Sequence, residues 1–361
     1  MPSSAKPNLD HEYNQRDTTV DTVRGLAILL MIPANMSSKI WLDTHPFWFR
    51  LIGSFAAPTF ILIAGLMCAY GLFHKKHGAG YFLKRGLLIM CIGAAIDIAV
   101  WNVIPFTSCD VLYLIGLALP AVYFFQCYLK PRHKWMILFI IIAGTPFLQN
   151  LLTYSEDPAE FTLGEPWGVR SITPEHPTSL ANAFLVDGWF PIFPWISFAM
   201  VGAMIAEVRT RHQFFALSSK FPIGSALLLI VAGGVLWAMF PGNQYLRDGY
   251  SELFYPPTPG FVIASIGLVS LLLQIVKAFP AQLLLAPLRI LGESAMLAYI
   301  MHLAAIRFLI NPAFQENGVT QLVFWKLNLI LVLGLIATGI LVRIIKRHWS
   351  KRPLPVRIII G

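Results

Sequence analysis

The chain has 361 residues, of which 57% are hydrophobic and only 12% charged. So much apolar side chain exceeds what a water-soluble core can bury, which makes lipid the expected solvent and excludes an ordinary soluble enzyme. The formal charge of +9 does not indicate a nucleic-acid partner, because the basic residues are dispersed between apolar stretches instead of forming one basic face.

Residues 1–19 are polar, carry both charge signs and contain no apolar stretch. They read as a cytoplasmic N-terminal segment, not as a cleaved signal. At roughly 20 apolar residues per crossing, about ten membrane helices follow. They are expected near 20–41, 47–73, 82–106, 110–129, 135–154, 188–207, 222–241, 258–277, 285–310 and 321–346. The predicted fold is an all-α polytopic membrane protein with both termini cytoplasmic. One transmembrane domain covers 20–346, with a polar outward loop at about 155–187, and residues 347–361 form a basic cytoplasmic tail. Orientation comes from every second loop being basic: Lys75, Lys76, Lys84 and Arg85, then Lys130, Arg132 and Lys134, then Arg209, Arg211 and Lys220, then Lys277 and Arg289. The positive-inside rule puts these loops in the cytoplasm.

The first predicted helix carries the sharpest polar pattern, "DTVRGLAILLMIPANMSSKIWLDTH". Arg24 and Asn35 differ by three helical turns, so they share one face about 16 Å apart along the axis. Asp21 lies one turn before Arg24 and can pair with it. Pro33 disturbs the helix just before Asn35. Such a face belongs against other helices or a water-filled cavity. The simpler readings are that Arg24 snorkels to the surface and Asn35 bonds a neighbouring helix. His45 follows in a short outward connection. A neutral imidazole there can take a proton from an incoming hydroxyl or amine, or carry an acyl group itself. Asn35 can orient that ring or stabilise an oxyanion.

Further along, Asp97 falls midway in the third predicted span and Asp110 at the start of the fourth. The four cysteines (Cys68, Cys91, Cys109 and Cys127) lack metal-ligand spacing, so no metal is expected. "HPTSLANAFLVDGWFPIFPW" places His176 and Asp187 before a proline- and tryptophan-rich helix start. "LGESAMLAYIMH" puts Glu293 and Ser294 on a membrane helix, with Tyr299 and His302 one turn apart on one face. Intramembrane ionisable residues are functional candidates, with interhelical hydrogen bonding as the alternative. No Walker-type loop and no HExxH motif occurs, which argues against an ATP-driven pump.

The opening block, together with "APTFILIAGLMCAY", "DVLYLIGLAL", "DGWFPIFPWISFAMVGA" and "LGESAMLAYIMH" in that order, resembles heparan-alpha-glucosaminide N-acetyltransferase and its bacterial relatives, within the wider transmembrane acyltransferase superfamily. The resemblance covers most of the chain. It implies a cytosolic acyl-CoA donor, a glycan acceptor on the far side, a catalytic His45 and Asn35 beside it. The resulting expectation is a multi-pass enzyme of the cell (inner or plasma) membrane. It would move an acetyl or short acyl group from acetyl-CoA to an extracytoplasmic glycan or amino sugar. Arg24 would meet the donor's anionic end with Asp21 beside it in the donor site, and His176, Asp187, Glu293, Ser294, Tyr299 and His302 would support the substrates. The lipid bilayer is the expected partner, with a homodimer allowed. The alternative is a transporter or exporter of a small solute or lipid-linked sugar along the same polar face.

Overall fold

The computed structural model describes residues 17–156, 180–211, 220–279, 281–349 and 352–361. Its helices, in chain order, are α1 Thr18–Ile40, α2 Phe47–Gly53, α3 Ala56–Phe73, α4 Ala79–Ile96, α5 Val111–Tyr128, α6 Pro131–Leu151, α7 Ile192–Arg211, α8 Lys220–Met239, α9 Pro259–Ala278, α10 Ala286–Glu293, α11 Ala295–Ala305, α12 Gln321–His348 and α13 Leu354–Ile360. Among the described residues there is no β-strand; Arg247 and Tyr250 form an isolated bridge. His176 lies outside the described residues.

Among the described residues, seven helical stretches are long and apolar enough to cross a bilayer: Phe47–Phe73, Val111–Tyr128, Pro131–Leu151, Ile192–Arg209, Pro259–Ala278, Ala295–Phe314 and Gln321–His348. Three of the helices expected from the sequence fall short of that description. The apolar part of α8 is shorter, Ile223–Met239. α1 carries Asp21, Arg24 and Lys39, and α4 carries Lys84 and Arg85. Neither α1 nor α4 stands apart, since α1 packs on α3 and α10 and α4 packs on α5. The span expected at 82–106 leaves α-helical geometry at Ile96 and continues as a π turn, Asp97–Trp101. The span expected at 285–310 is broken at Ser294, whose φ of −121° and ψ of 36° separate α10 from α11.

Helices in lipid gain little from excluding water from one another, so close backbone packing through small residues joins them. The α1–α10 crossing is the case that shapes the site. A Cβ on Gly25 would sit 1.8 Å from the Leu288 carbonyl oxygen, and one on Gly292 would sit 1.7 Å from that of Asp21. Only two glycines permit that approach. Around the outside, α6 and α12 present Phe139, Phe147, Leu329, Ile330 and Leu341 as exposed apolar side chains, as lipid-facing surfaces require.

Hydrogen bonds sort the loops between the two ends of the bundle. Asp17 caps α1 by accepting from the Thr19 and Val20 amides and pairs with Arg209 at 3.3 Å, which fixes one end. At the other end of α1, Lys39 meets Asp248 at 2.5 Å. Next to Asp248, Arg247 is fully buried and pairs with Asp187 at 3.0 Å. Residues 187 and 247 therefore share the end opposite Arg209.

Candidate functional site

One cavity of about 830 Å³ runs between these two ends, within the range of small-molecule sites. α1 forms its long wall, contributing Asp17, Asp21, Arg24, Met31, Ala34, Asn35 and Lys39. The mouth at the Asp17 end is basic: Lys75, Arg85, Arg209 and Arg357 join Arg24 around it. Burial, reinforced by the charges of Lys75, Arg357 and Arg85, holds the His77 imidazole below its usual pKa. Among the described residues, Lys75, Arg85 and Arg357 have no carboxylate within ion-pair distance. Arg24 is committed differently. Its Nη1 donates to Asp21 Oδ1 at 3.1 Å and to the Gly292 carbonyl at 3.2 Å. Arg24 thus ties α1 to α10 while facing the cavity, and the expected Asp21–Arg24 pair is present.

Midway, Trp101, Trp189 and Phe190 face the same space as Asp110 and Tyr299. Tyr299 Oη donates to Asp110 Oδ2 at 3.1 Å, while Asp110 Oδ1 caps α5 at the Val111 amide. Asn35 Nδ2 lies 2.9 Å from Nε2 of His302, and His302 Nδ1 lies 3.1 Å from the Ala298 carbonyl. A carbonyl can only accept, so Nδ1 carries the hydrogen and the Nε2 lone pair accepts from Asn35. His302 is fully buried and holds the carboxamide in place. One N–H of that amide remains for the cavity. The sequence places Asn35 and His302 more than 260 residues apart, and the fold brings them together.

The other end is lined by Lys39, Tyr250 and Glu252. Glu252 is 7% exposed, and its Oε2 has no hydrogen-bond partner among the described residues. Burial, only partly opposed by its own amide and the Arg50 charge, pushes this carboxyl up to about 7. Glu252 escaped the sequence reading because a carboxylate in a loop between two apolar helices looks solvated.

The remaining expected residues are engaged in other contacts. His45 is half-buried and is not among the cavity-lining residues. Its Nε2 lies 3.2 Å from the Trp41 carbonyl and its Nδ1 2.6 Å from Ser251 Oγ. Burial, opposed by the hydrogen bond to the Trp41 carbonyl and aided by the Arg50 charge, lowers its pKa; because a carbonyl can only accept, Nε2 carries the hydrogen, and in the neutral ring Nδ1 accepts from Ser251. Asp187 is engaged outside the cavity: it accepts from the Ser155 amide at 2.8 Å and from Arg247 Nη2 at 3.0 Å. Glu293 lines the cavity but holds a bidentate pair with Arg343 at 2.8 and 2.9 Å. Ser294 Oγ donates to Ile290 O at 3.3 Å, within the helix break. Among the described residues, no group of three or more His, Cys, Asp or Glu is placed to hold a metal ion.

Residues 16–239 match the sequence model of a family described as heparan-alpha-glucosaminide N-acetyltransferase, catalytic. The match spans more than half of the chain and shows the family. No curated protein sequence matches the chain.

Proposed function

We propose that this chain, which belongs to the heparan-alpha-glucosaminide N-acetyltransferase family, takes an acetyl or other short acyl group from acyl-CoA at the basic mouth and gives it to an acceptor at the opposite end of the cavity. The observation that carries this reading is the single continuous cavity joining the Arg24–Arg209–Arg357 end to the Lys39–Tyr250–Glu252 end. In this reading α1, α4 and α8 cross the bilayer together with the seven more apolar stretches, and the basic end is cytoplasmic. The acceptor is then extracytoplasmic, a glycan or amino sugar, and the protein resides in the cell membrane.

The roles follow from position and chemistry. Guanidinium and ammonium groups at the mouth suit a donor that carries several phosphates. Trp101, Trp189 and Phe190 provide an apolar wall for the donor's chain. The spare Asn35 N–H faces the place where a thioester carbonyl develops negative charge, the arrangement of an oxyanion donor. His302 orients it. The acceptor's X–H loses its proton as X bonds to the carbonyl carbon. The C–S bond breaks, and CoA leaves as its thiol after taking up one proton, so the proton count closes. For His45, the base expected from the sequence, the path to the cavity leads through Ser251 to Glu252.

The test is transfer of labelled acetyl from acetyl-CoA by the full chain in lipid nanodiscs, with glucosamine and a cell-envelope glycan extract as acceptors. A labelled glycan product is expected. Donor that is neither bound nor consumed returns the assignment to an exporter using the same cavity.

A further inference from the structure

The stretch Ala295–Phe314, in which α11 runs on through a π turn at Ile306–Ile310, is apolar enough to cross a bilayer. It also walls the cavity. The lining is apolar at Leu303 and Ile306 and turns polar at Arg307, Asn311 and Gln315, spaced four residues apart. Just beyond them the Val319 amide donates to the Ile40 carbonyl at 2.9 Å, so the polar row climbs toward the end of α1 that carries Lys39. Arg307 lies five residues past His302, whose Nε2 meets Asn35 at 2.9 Å. Five residues are about 7 Å of helix rise, roughly the reach of one sugar ring. Snorkelling toward the headgroup layer would account for Arg307 alone. It does not account for Asn311, which is 8% exposed and whose Oδ1 has no hydrogen-bond partner among the described residues. A buried acceptor left without a donor costs free energy that a ligand hydroxyl or amine can recover. Among the described residues Arg307 has no carboxylate within ion-pair distance. Phe308 and Leu309 beside it are 56% and 71% exposed, as lipid-facing side chains are. The cavity wall at Arg307 is thus also an edge that meets the bilayer.

Resting on the acyl-transfer reading, we propose that Arg307 and Asn311 form the acceptor subsite, and that the acceptor is a sugar joined through phosphate to a lipid chain. The guanidinium offers a fork of donors to the phosphate, a geometry that an ammonium lacks. Helical side chains lean toward the N-terminus of their own helix, which brings the Asn311 carboxamide over the turn that carries Arg307. Its free Oδ1 then accepts from a hydroxyl of the sugar whose phosphate Arg307 holds. The sugar ring fills the space between Arg307 and Asn35, with its reacting group toward Asn35. The hydrocarbon chain leaves across Phe308 and Leu309 into the bilayer. A water-soluble sugar has no use for a cation at that edge, whereas a membrane-anchored one enters sideways past it.

The experiment uses the full chain in nanodiscs of zwitterionic lipid and probes that separate chain, phosphate and sugar: farnesyl phosphoglucosamine, glucosamine 1-phosphate, octyl glucosaminide and farnesyl phosphate. Binding is read by thermophoresis, and acetyl transfer from acetyl-CoA to the three sugar-bearing probes is read as kcat/KM. Wild type is expected to prefer farnesyl phosphoglucosamine to each of the others by about tenfold or more. Arg307→Gln should weaken that probe by about tenfold to a hundredfold, the scale for losing a hydrogen bond to a charged group. Its preference for farnesyl phosphoglucosamine over octyl glucosaminide should collapse, and Arg307→Lys should recover part of it. Asn311→Leu should weaken farnesyl phosphoglucosamine more than farnesyl phosphate, because Asn311 serves the sugar. Glucosamine 1-phosphate bound as tightly as the farnesyl sugar overturns the lipid-linked class. Farnesyl phosphate bound as tightly as the farnesyl sugar reduces Arg307 to a headgroup contact and overturns the subsite. An Arg307→Gln variant that loses acetyl-CoA affinity in calorimetry belongs to the donor path, which also overturns it. If Arg307→Gln does not assemble, the wild-type ranking of the probes and Asn311→Leu decide. Wild type that ranks the probes as expected but acetylates none of them fails the acyltransferase reading and leaves the binding site standing.

Discussion

Arg24 and Glu252 illustrate opposite ways of keeping a charge in an apolar setting. The Arg24 guanidinium is met by a carboxylate and a backbone carbonyl, so its charge is compensated where it stands. The Glu252 carboxylate has one oxygen with no such partner among the described residues, and its folded state therefore favours the protonated form. The sign of the resulting pH dependence is fixed. The folded carboxyl rises to about 7 from an ordinary 4.5, so the stability this proton contributes is fully present below 4.5 and is lost as pH rises through 7. Glu252→Gln removes the charge and keeps the shape. It is expected to melt with wild type at pH 5, and at pH 8 to be more stable by up to roughly 3 kcal/mol, from 1.4 kcal/mol per pKa unit. Melting of both proteins in the same detergent across pH 5–8 checks this. A Gln variant that is less stable at pH 8 would show that the carboxylate is paired.

At the scale of elements, the "RG" that opens α1 and the "LG" that closes α10 are two halves of one contact. Each glycine lets the other helix's backbone come within touching distance, and Arg24 spans the junction. A side chain at either glycine has no room. Gly292→Val should therefore lose folded protein, or at least about 1–3 kcal/mol, whereas Gly234→Ala, with nothing within 4 Å of its added carbon, should not. Size-exclusion profiles and melting in detergent separate the two outcomes, and a well-folded Gly292→Val would mean that this crossing is not close in the membrane. The same contact shows what the sequence made legible. The polar face from Arg24 to Asn35 was readable because hydrocarbon rejects such groups, and Tyr299 and His302 were readable for the same reason. Their partners were not. His302 meets Asn35, and Asp110 meets Tyr299, through tertiary packing that no local spacing encodes. Asp187 looked functional for its place before a proline-rich helix start, yet its ion pair with Arg247, 60 residues away, spends it on joining two segments at one end of the bundle. Ten hydrophobic stretches were visible, but the charges on α1 and α4 and the break at Ser294 turn three of them into elements that shape the cavity as well as crossing the bundle.

For the whole molecule, charge is divided between the two ends of one cavity, and under the proposed function the basic end receives the anionic donor. Arg24 and Arg209 are tied to Asp21 and Asp17, so neither is a clean probe of donor binding. Arg85 and Arg357 are better, because each lines the mouth with no carboxylate in reach among the described residues. Arg357 is delivered by α13, which anchors itself through the buried Ile358. The tail thus builds the mouth. A partly exposed cation against a phosphate contributes about 0.2–1 kcal/mol, as surface ion pairs do, which is at most about fivefold in affinity. Arg85→Ala and Arg357→Ala should each weaken acetyl-CoA binding by up to about fivefold, and the double variant by roughly the product, since the two sit on separate elements. Raising the salt to about 0.5 M should weaken wild type most and the double variant least, because screening removes the same interaction. Acetyl-pantetheine, which lacks the nucleotide phosphates, should bind all of these proteins alike. Calorimetry in nanodiscs measures each case. Salt-independent binding, or acetyl-pantetheine that distinguishes the variants, would place the donor's phosphates somewhere other than this mouth.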